Sequence, residues 1–409
     1  MSGNKGARGR VAIIGGSLVG LITGNLFHRA GWDVQVFERV TGNVEGRGAG
    51  ITILPGLVDG FQAAGAEVSE QSLGVELAAR IALDKSGQVV AERPLAQVMT
   101  SWKRLYDELK SVFPQQNYRA GMTLQSVEQD DQKVTARFAD GSCIDTDLLV
   151  AADGLRSTIR NQFLPEIKPH YAGYIAWRCL TDERDLSPAT HAQLFSRYSV
   201  CVAPGQQGVG YPVPGPGNSV QAGRRQFNTV WYCPVPETGL RALMTDDSGH
   251  YHANGIPPTL LSARIRQQMI DQAAQVLAPQ FAEAVQRARL HFFQPIVDLE
   301  VPRLVFGRVV IVGDAAFTAR PHVAMGVPKG AGDALALIMA MRTGATELEG
   351  LAQFETQRLR IGQAIVARGR YLGAYMEAQL KSAQERSRAE ASRVAETVMM
   401  ETAAPMVFS

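Results

Sequence analysis

A chain of 409 residues is too long for one ordinary core, so two or three domains are expected. An apolar fraction of 45% with 20% charged residues is ordinary for a globular chain, and a formal net charge of +2 gives no electrostatic case for nucleic acid or an acidic membrane surface. The four cysteines (Cys143, Cys179, Cys201, Cys233) stand far apart with no CxxC pair, which argues against a disulfide framework or a zinc site, and no metal is expected.

The first ten residues run straight into a strand without a signal-type apolar segment. No apolar run approaches the ~20 residues that a membrane helix needs, so a cytoplasmic protein is expected. Val11–Ile14 reads as a buried strand, Gly15-Gly16-Ser17-Leu18-Val19-Gly20 as a glycine turn, and the apolar stretch to Ala30 as a helix ended by Gly31. Asp33–Phe37 reads as the next strand, closing at Glu38-Arg39. This βαβ unit carries an acid about 20 residues beyond its last glycine, the spacing of an adenine-dinucleotide site. Ser17 stands where the usual fingerprint has its second glycine.

Arg47-Gly48-Ala49-Gly50-Ile51 is a glycine loop. Ala78–Leu83 and Val89–Glu92 read as strands, Trp102–Phe113 as an amphipathic helix. Leu124–Glu128, Val134–Phe138 and Cys143–Asp145 read as a meander leading to the apolar run Leu148–Ala152. Asp153-Gly154-Leu155-Arg156-Ser157 follows, with Arg160 on the helix beyond.

From Pro169 the rhythm becomes that of an antiparallel sheet, with Tyr171, Tyr174, Trp177, Tyr211 and Trp231 as sheet aromatics that either wall a pocket or fill a core. Thr259–Leu277 and Pro279–Arg289 read as helices and His291–Val297 as a returning strand. The strand Val309–Val312 stops at Gly313-Asp314, followed by Arg320-Pro321-His322 and a helix expected over Ala331–Met341. A carboxylate at a strand end beside a glycine-spaced helix entry suits a polar cofactor tail. Leu351–Met376 is one long amphipathic helix, and the last ~30 residues read as helical and then disordered.

The glycine turn, the DG segment at 153, the GD segment at 313 and the sheet between the last two together resemble the FAD-dependent aromatic hydroxylases (the p-hydroxybenzoate hydroxylase-like group). Within that group the chain most resembles the 2,6-dihydroxypyridine 3-hydroxylase branch, through Arg320-Pro321-His322, Lys329 and the Tyr-Ala-Gly-Tyr-x-x-Trp run. The resemblance implies an α/β fold: a Rossmann-like FAD-binding domain from 1–75, 100–168 and 290–376, interleaved with a smaller antiparallel-sheet substrate domain from 76–99 and 169–289. A tail spans 377–409.

It implies FAD extended along Gly15, Gly16, Ser17 and Leu18, with Glu38 and Arg39 at the adenosine end. Gly50, Leu124 and Asp153 lie along the cofactor, Asp314 at the ribityl chain, and Ala324 and Gly326 at the isoalloxazine. Tyr211, Trp231 and Pro321 are candidate substrate contacts. The implied reaction uses NADPH or NADH and O2 to hydroxylate an electron-rich aromatic or N-heteroaromatic ring, hydroxypyridine-like, through a flavin C4a-hydroperoxide. A purine of urate type, a phenol, or a flavin dehydrogenase or oxidase reaction are the alternatives, and a homodimer is allowed for.

The candidate catalytic residues are His322, either a base toward the substrate hydroxyl or a loop-orienting residue, and Arg320, which either holds an anionic substrate or pairs with a carboxylate. In place of residues common in the family stand Trp102 for an arginine, Phe317 for a histidine, Val323 for a glycine and Pro328 for an asparagine.

Overall fold

The computed structural model describes residues 8–42, 50–344, 346–391, 393–406 and 408. Arg47-Gly48-Ala49 of the glycine loop, like residues 1–7, lies outside the described residues. Six strands form one sheet in the order 305–306, 309–311, 148–151, 10–14, 33–38, 118–120. All neighbours in it are parallel except 305–306 against 309–311. Parallel strands are covered on both faces, which is why Val11–Ile14, Leu148–Ala151 and Val309–Ile311 are apolar and buried throughout.

Helix Leu18–Arg29 covers this sheet and packs against helix Gly326–Thr343. A Cβ on Gly330 would stand 2.3 Å from Cγ2 of Val19, so glycine sets how closely the two helices approach. The second helix starts five residues before the expected Ala331. Its glycines and Pro328 read as loop, but they occupy the opening turns, where proline in the first turn removes no helical hydrogen bond.

A nine-stranded sheet runs in the order 317–318, 290–300, 170–182, 226–234, 206–213, 197–203, 75–83, 89–101, 50–52. It is antiparallel apart from the pair 197–203 with 75–83. One face carries a core of Trp177, Cys179, Phe227, Trp231 and Phe281, and the other carries Tyr174, Tyr198, Tyr211 and Tyr232. The expected meander is the three-stranded sheet Leu124–Gln129, Val134–Phe138, Cys143–Thr146.

Helix Glu347–Glu377 runs for 31 residues, capped by Thr346 Oγ1, which accepts from the Glu349 amide at 3.2 Å. No helix among the described residues is long and apolar enough to cross a membrane. All four cysteines are free.

At the end of the chain the expected helical stretch is present, and beyond it Thr402 and Ala403 are buried where disorder was expected. Short helices occupy Ala383–Ala391 and Ala395–Glu401, and Val398, Met399 and Ala403 are buried. Arg80, 1% exposed, donates to the carbonyls of Met399 and Thr402 at 2.7 Å each and of Ala403 at 3.0 Å. The Ala403 amide donates to the His322 carbonyl at 2.7 Å. A segment that looks polar in sequence is thus held by one buried guanidinium on a distant strand.

Candidate active site

Strand 10–14 ends at Gly15, whose φ of 105° and whose approach to Ala152 exclude a side chain: a Cβ there would sit 2.3 Å from the Ala152 carbonyl oxygen. The Gly16 amide donates to Glu38 Oε2 at 2.9 Å, and the Val40 amide to Oε1 at 3.1 Å. Glu38 is therefore fixed at the end of the second strand, facing the turn. Ser17 is the N-cap of helix 18–29 and makes no side-chain capping bond. A cavity of about 190 Å³ opens here, lined by Gly15, Ser17, Glu38, Arg39, Leu124 and Asp153 among others. Strands 10–14, 33–38 and 148–151 and the meander thus bring six of the expected residues to one cleft; Leu18 is buried.

Asp153 Oδ2 accepts from the Thr158 amide at 2.8 Å, while its Oδ1 is buried with no hydrogen bond. Burial pushes this carboxyl above the usual carboxylate range. Arg160, 1% exposed, donates to the Leu155 carbonyl at 2.7 Å and to the Ala315 carbonyl at 3.1 Å. It ties the DG segment to the GD segment.

Asp314 stands at the end of strand 309–311 with half of its side chain exposed. Lys329 Nζ lies 4.0 Å from Asp314 Oδ1 and 3.7 Å from Asp333 Oδ2, buried and without a hydrogen bond. Asp333 also accepts from Arg358 Nε at 2.7 Å and from the Gly313 amide at 3.0 Å, which fixes the GD turn from behind.

Asp314 faces a second cavity, of about 590 Å³, between the two sheets and helix 326–343. Of the expected residues, Gly50, Tyr211, Asp314, Arg320, Pro321, Ala324 and Gly326 line it. Ala324 takes the left-handed conformation at φ 53°, turning the chain into the helix. Arg156 lines both cavities. Trp102 lines the larger one, its ring stacked on Tyr106 at 4.9 Å. Phe317 instead is buried against helix 347–377, where Gly362 makes room for it.

Trp231 is not brought to the cavity, and its expected substrate contact is corrected. It is fully buried in the core on the opposite face, with Nε1 donating to Gln206 Oε1 at 2.8 Å. Alternation along the strand presents its neighbour Tyr232 instead.

Of the two readings left open for Arg320, the carboxylate pair holds. Its guanidinium is 2% exposed and bonds Asp298 at 2.8–3.1 Å and Glu377 at 2.8 Å. Burial opposes the charge, but these hydrogen bonds hold the group protonated. His322 lies behind the wall formed by Pro321 and Val323. It is 1% exposed, with Nε2 3.0 Å from the Tyr174 hydroxyl and its ring 4.1 Å from that of Tyr232. Burial, reinforced by Arg393, Arg320 and Arg178, holds it well below the ordinary histidine range. A shielded imidazole that resists protonation is a poor proton acceptor, so the loop-orienting reading fits.

The cavity also holds residues that sequence reasoning missed: Arg178, Tyr198, Tyr232 and the tail residues Thr402 and Ala403. Period-2 alternation within 170–182 and 226–234 carries the signal for Arg178 and Tyr232, once the face is known. None existed for the tail. Together the two cavities suit an extended flavin dinucleotide. They share Arg156, offer a carboxylate toward each end, leave Asp153 Oδ1 buried without a hydrogen bond, and present helix starts free of side-chain caps.

Residues 171–298 match the family model described as FAD binding domain-like. The chain is 30% identical over 357 residues to 2,6-dihydroxypyridine 3-monooxygenase of Paenarthrobacter nicotinovorans, covering 87% of this chain and 88% of that one. It is 26% identical over 366 residues to the FAD-dependent urate hydroxylase of Klebsiella pneumoniae, covering 85% of each. The solved structure of 2,6-dihydroxypyridine-3-hydroxylase from Arthrobacter nicotinovorans superposes with a TM-score of 0.86 at 28% identity, over 92% of this chain and 95% of that one. With a cleft shaped for a flavin dinucleotide and likeness running nearly end to end, the chain belongs to the FAD-dependent aromatic hydroxylases of the p-hydroxybenzoate hydroxylase-like group.

Proposed function

We propose that this FAD-dependent monooxygenase uses NADPH or NADH and O2 to hydroxylate an electron-rich N-heteroaromatic ring of hydroxypyridine type. The observation that carries the reading is the larger cavity, where the GD carboxylate and a helix start meet aromatic walls. The 30% identity to a dihydroxypyridine monooxygenase, against 26% to a urate hydroxylase, favours the pyridine class over a purine.

FAD, when bound, supplies the redox chemistry, taking a hydride equivalent and passing electrons to O2. The chain's own residues do the rest. Glu38 would accept from ribose hydroxyls, and the Gly15–Ser17 turn with Arg39 and Leu124 would hold the adenosine and pyrophosphate end. Asp153 and Arg156 sit where the two cavities approach. Asp314 would accept from ribityl hydroxyls with Lys329 behind it, and the Gly326 and Val327 amides at the helix start would be the donors offered to the ring system. Tyr211, Tyr232, Trp102 and Pro321 wall the substrate space and exclude water, which protects a reactive oxygen species from wasteful collapse.

The test is a panel of hydroxypyridines, purines, quinolines and benzoates, scored for stimulated NAD(P)H oxidation and for product mass under isotopically labelled O2. One labelled oxygen atom in a hydroxypyridine product is the expected result. Ring oxidation without label would replace hydroxylation by a dehydrogenase or oxidase reaction.

A further inference from the structure

Six basic side chains are buried among the described residues, and five of them have partners: Arg80 and Arg160 on backbone carbonyls, Arg320 on Asp298 and Glu377, Arg358 and Lys329 on Asp333. Arg178 differs. It is 8% exposed, its Nε is buried without a hydrogen bond, and no carboxylate or carbonyl meets its guanidinium among the described residues. It lines the larger cavity from the central strand 170–182, opposite Val230. The Tyr198 and Tyr232 hydroxyls line the same space and likewise make no hydrogen bond. With Nε buried and no carboxylate or carbonyl beside it, the guanidinium offers its remaining N–H groups to whatever occupies the cavity, and an anion there would complete the pair.

Resting on the monooxygenase reading, we propose that Arg178 is the specificity-determining anchor of the substrate space. With the Tyr198 and Tyr232 hydroxyls as neutral donors, it selects a planar ring bearing a single anionic oxygen group, either an ionised ring hydroxyl or a carboxylate. Arg320 does not compete, since its charge is met by two carboxylates. Burial pushes the Tyr232 phenol up, so it stays a hydrogen-bond donor near neutral pH. Phe293, Val209 and Ile296 supply the apolar lining against which the ring lies.

The experiment is calorimetric titration of the flavin-containing protein with two matched probe pairs: nicotinate against nicotinamide, and 2,6-dihydroxypyridine against 2,6-dimethoxypyridine. The parent should bind at least one anion-forming member roughly tenfold or more tighter than its neutral counterpart; the pair that shows it identifies the source of the anion. Arg178→Gln should weaken that anion about ten- to a hundredfold, the size of one lost charge-assisted hydrogen bond or a bidentate pair, and leave the neutral probe within about threefold. Arg178→Lys should keep a reduced preference, and it stands in if the glutamine variant does not fold. No anion preference in the parent, equal losses for both members of a pair, a lysine variant that binds as the parent does, or loss of flavin from either variant would overturn the assignment. Binding is read without turnover, so an Arg178-dependent preference with no oxygen incorporated sinks the hydroxylase reading alone. Labelled product from Arg178→Gln at unchanged KM sinks the anchor alone.

Discussion

Asp298→Asn tests how the floor of the larger cavity is held. Asp298 is 2% exposed and accepts from Arg320 Nε at 3.1 Å to both oxygens, from Arg320 Nη2 at 2.8 Å and from Arg370 Nε at 3.3 Å. Asparagine keeps the shape, removes the charge and turns one acceptor into a donor aimed at a guanidinium. Breaking a buried pair by removing one partner costs about 3–5 kcal/mol. Glu377 still meets Arg320 and Glu300 still meets Arg370, so the lower end, about 3 kcal/mol, is expected. Urea unfolding followed by circular dichroism reads it as a lower midpoint at unchanged slope. The double variant Asp298→Leu with Arg320→Met removes both charges and should recover most of the loss, because no lone ion stays buried. A single variant within ~0.5 kcal/mol of the parent would refute the argument that this pair holds the loop 320–323 in place.

Asp314→Ala should purify largely without flavin while keeping its circular dichroism, because losing a charge-assisted hydrogen bond lowers affinity roughly ten- to a hundredfold; full, tightly held FAD would end the ribityl assignment. His322→Gln should leave the ratio of hydroxylated product to NAD(P)H consumed within about twofold and cost about 1 kcal/mol through the Tyr174 hydroxyl, whereas a drop of ~10²-fold in that ratio would return the histidine to proton transfer. Glu183 is 4% exposed, and although burial works against its charge, hydrogen bonds from Arg225 and His191 bring its carboxyl from the ordinary 4.5 to about 2. A depressed carboxylate stabilises the fold above its unfolded value, so Glu183→Gln should cost about 3 kcal/mol at pH 7, with the gap closing as pH falls from 4.5 toward 2; a pH-independent gap would rule out the ionised form as its source.

Much of the cofactor side was legible because its signals are local. Apolar runs at 11–14, 148–152 and 309–312 announce doubly covered strands; the last two are followed at once by a glycine and an acid, and the first by glycines whose acid, Glu38, ends the next strand. The strand that carries Trp231 was also legible, but not which of its faces meets the cavity. That depends on pairing with 170–182 and 206–213, so the choice between Trp231 and Tyr232 could not be made from the strand alone. The start of helix 326–343 was hidden by Gly326, Pro328 and Gly330, which in sequence look like loop, although Gly330 serves close packing against Val19. Arg320 showed its charge but not its partners, since Asp298 and Glu377 come from a different strand and a different helix.

Arg80 and the Met399 carbonyl it holds are 319 positions apart in the chain. Residues 402 and 403 line the larger cavity, so part of its wall depends on contacts between stretches far apart in sequence. The segment is held by Arg80, by its own amide on the His322 carbonyl, by Gln207 on Thr402 Oγ1, by Arg368 on Glu401 and by the burial of Val398, Met399 and Ala403. Loss of the Arg80 guanidinium would therefore be felt both in the packing of this segment and in the wall of the reaction space, which one side chain couples.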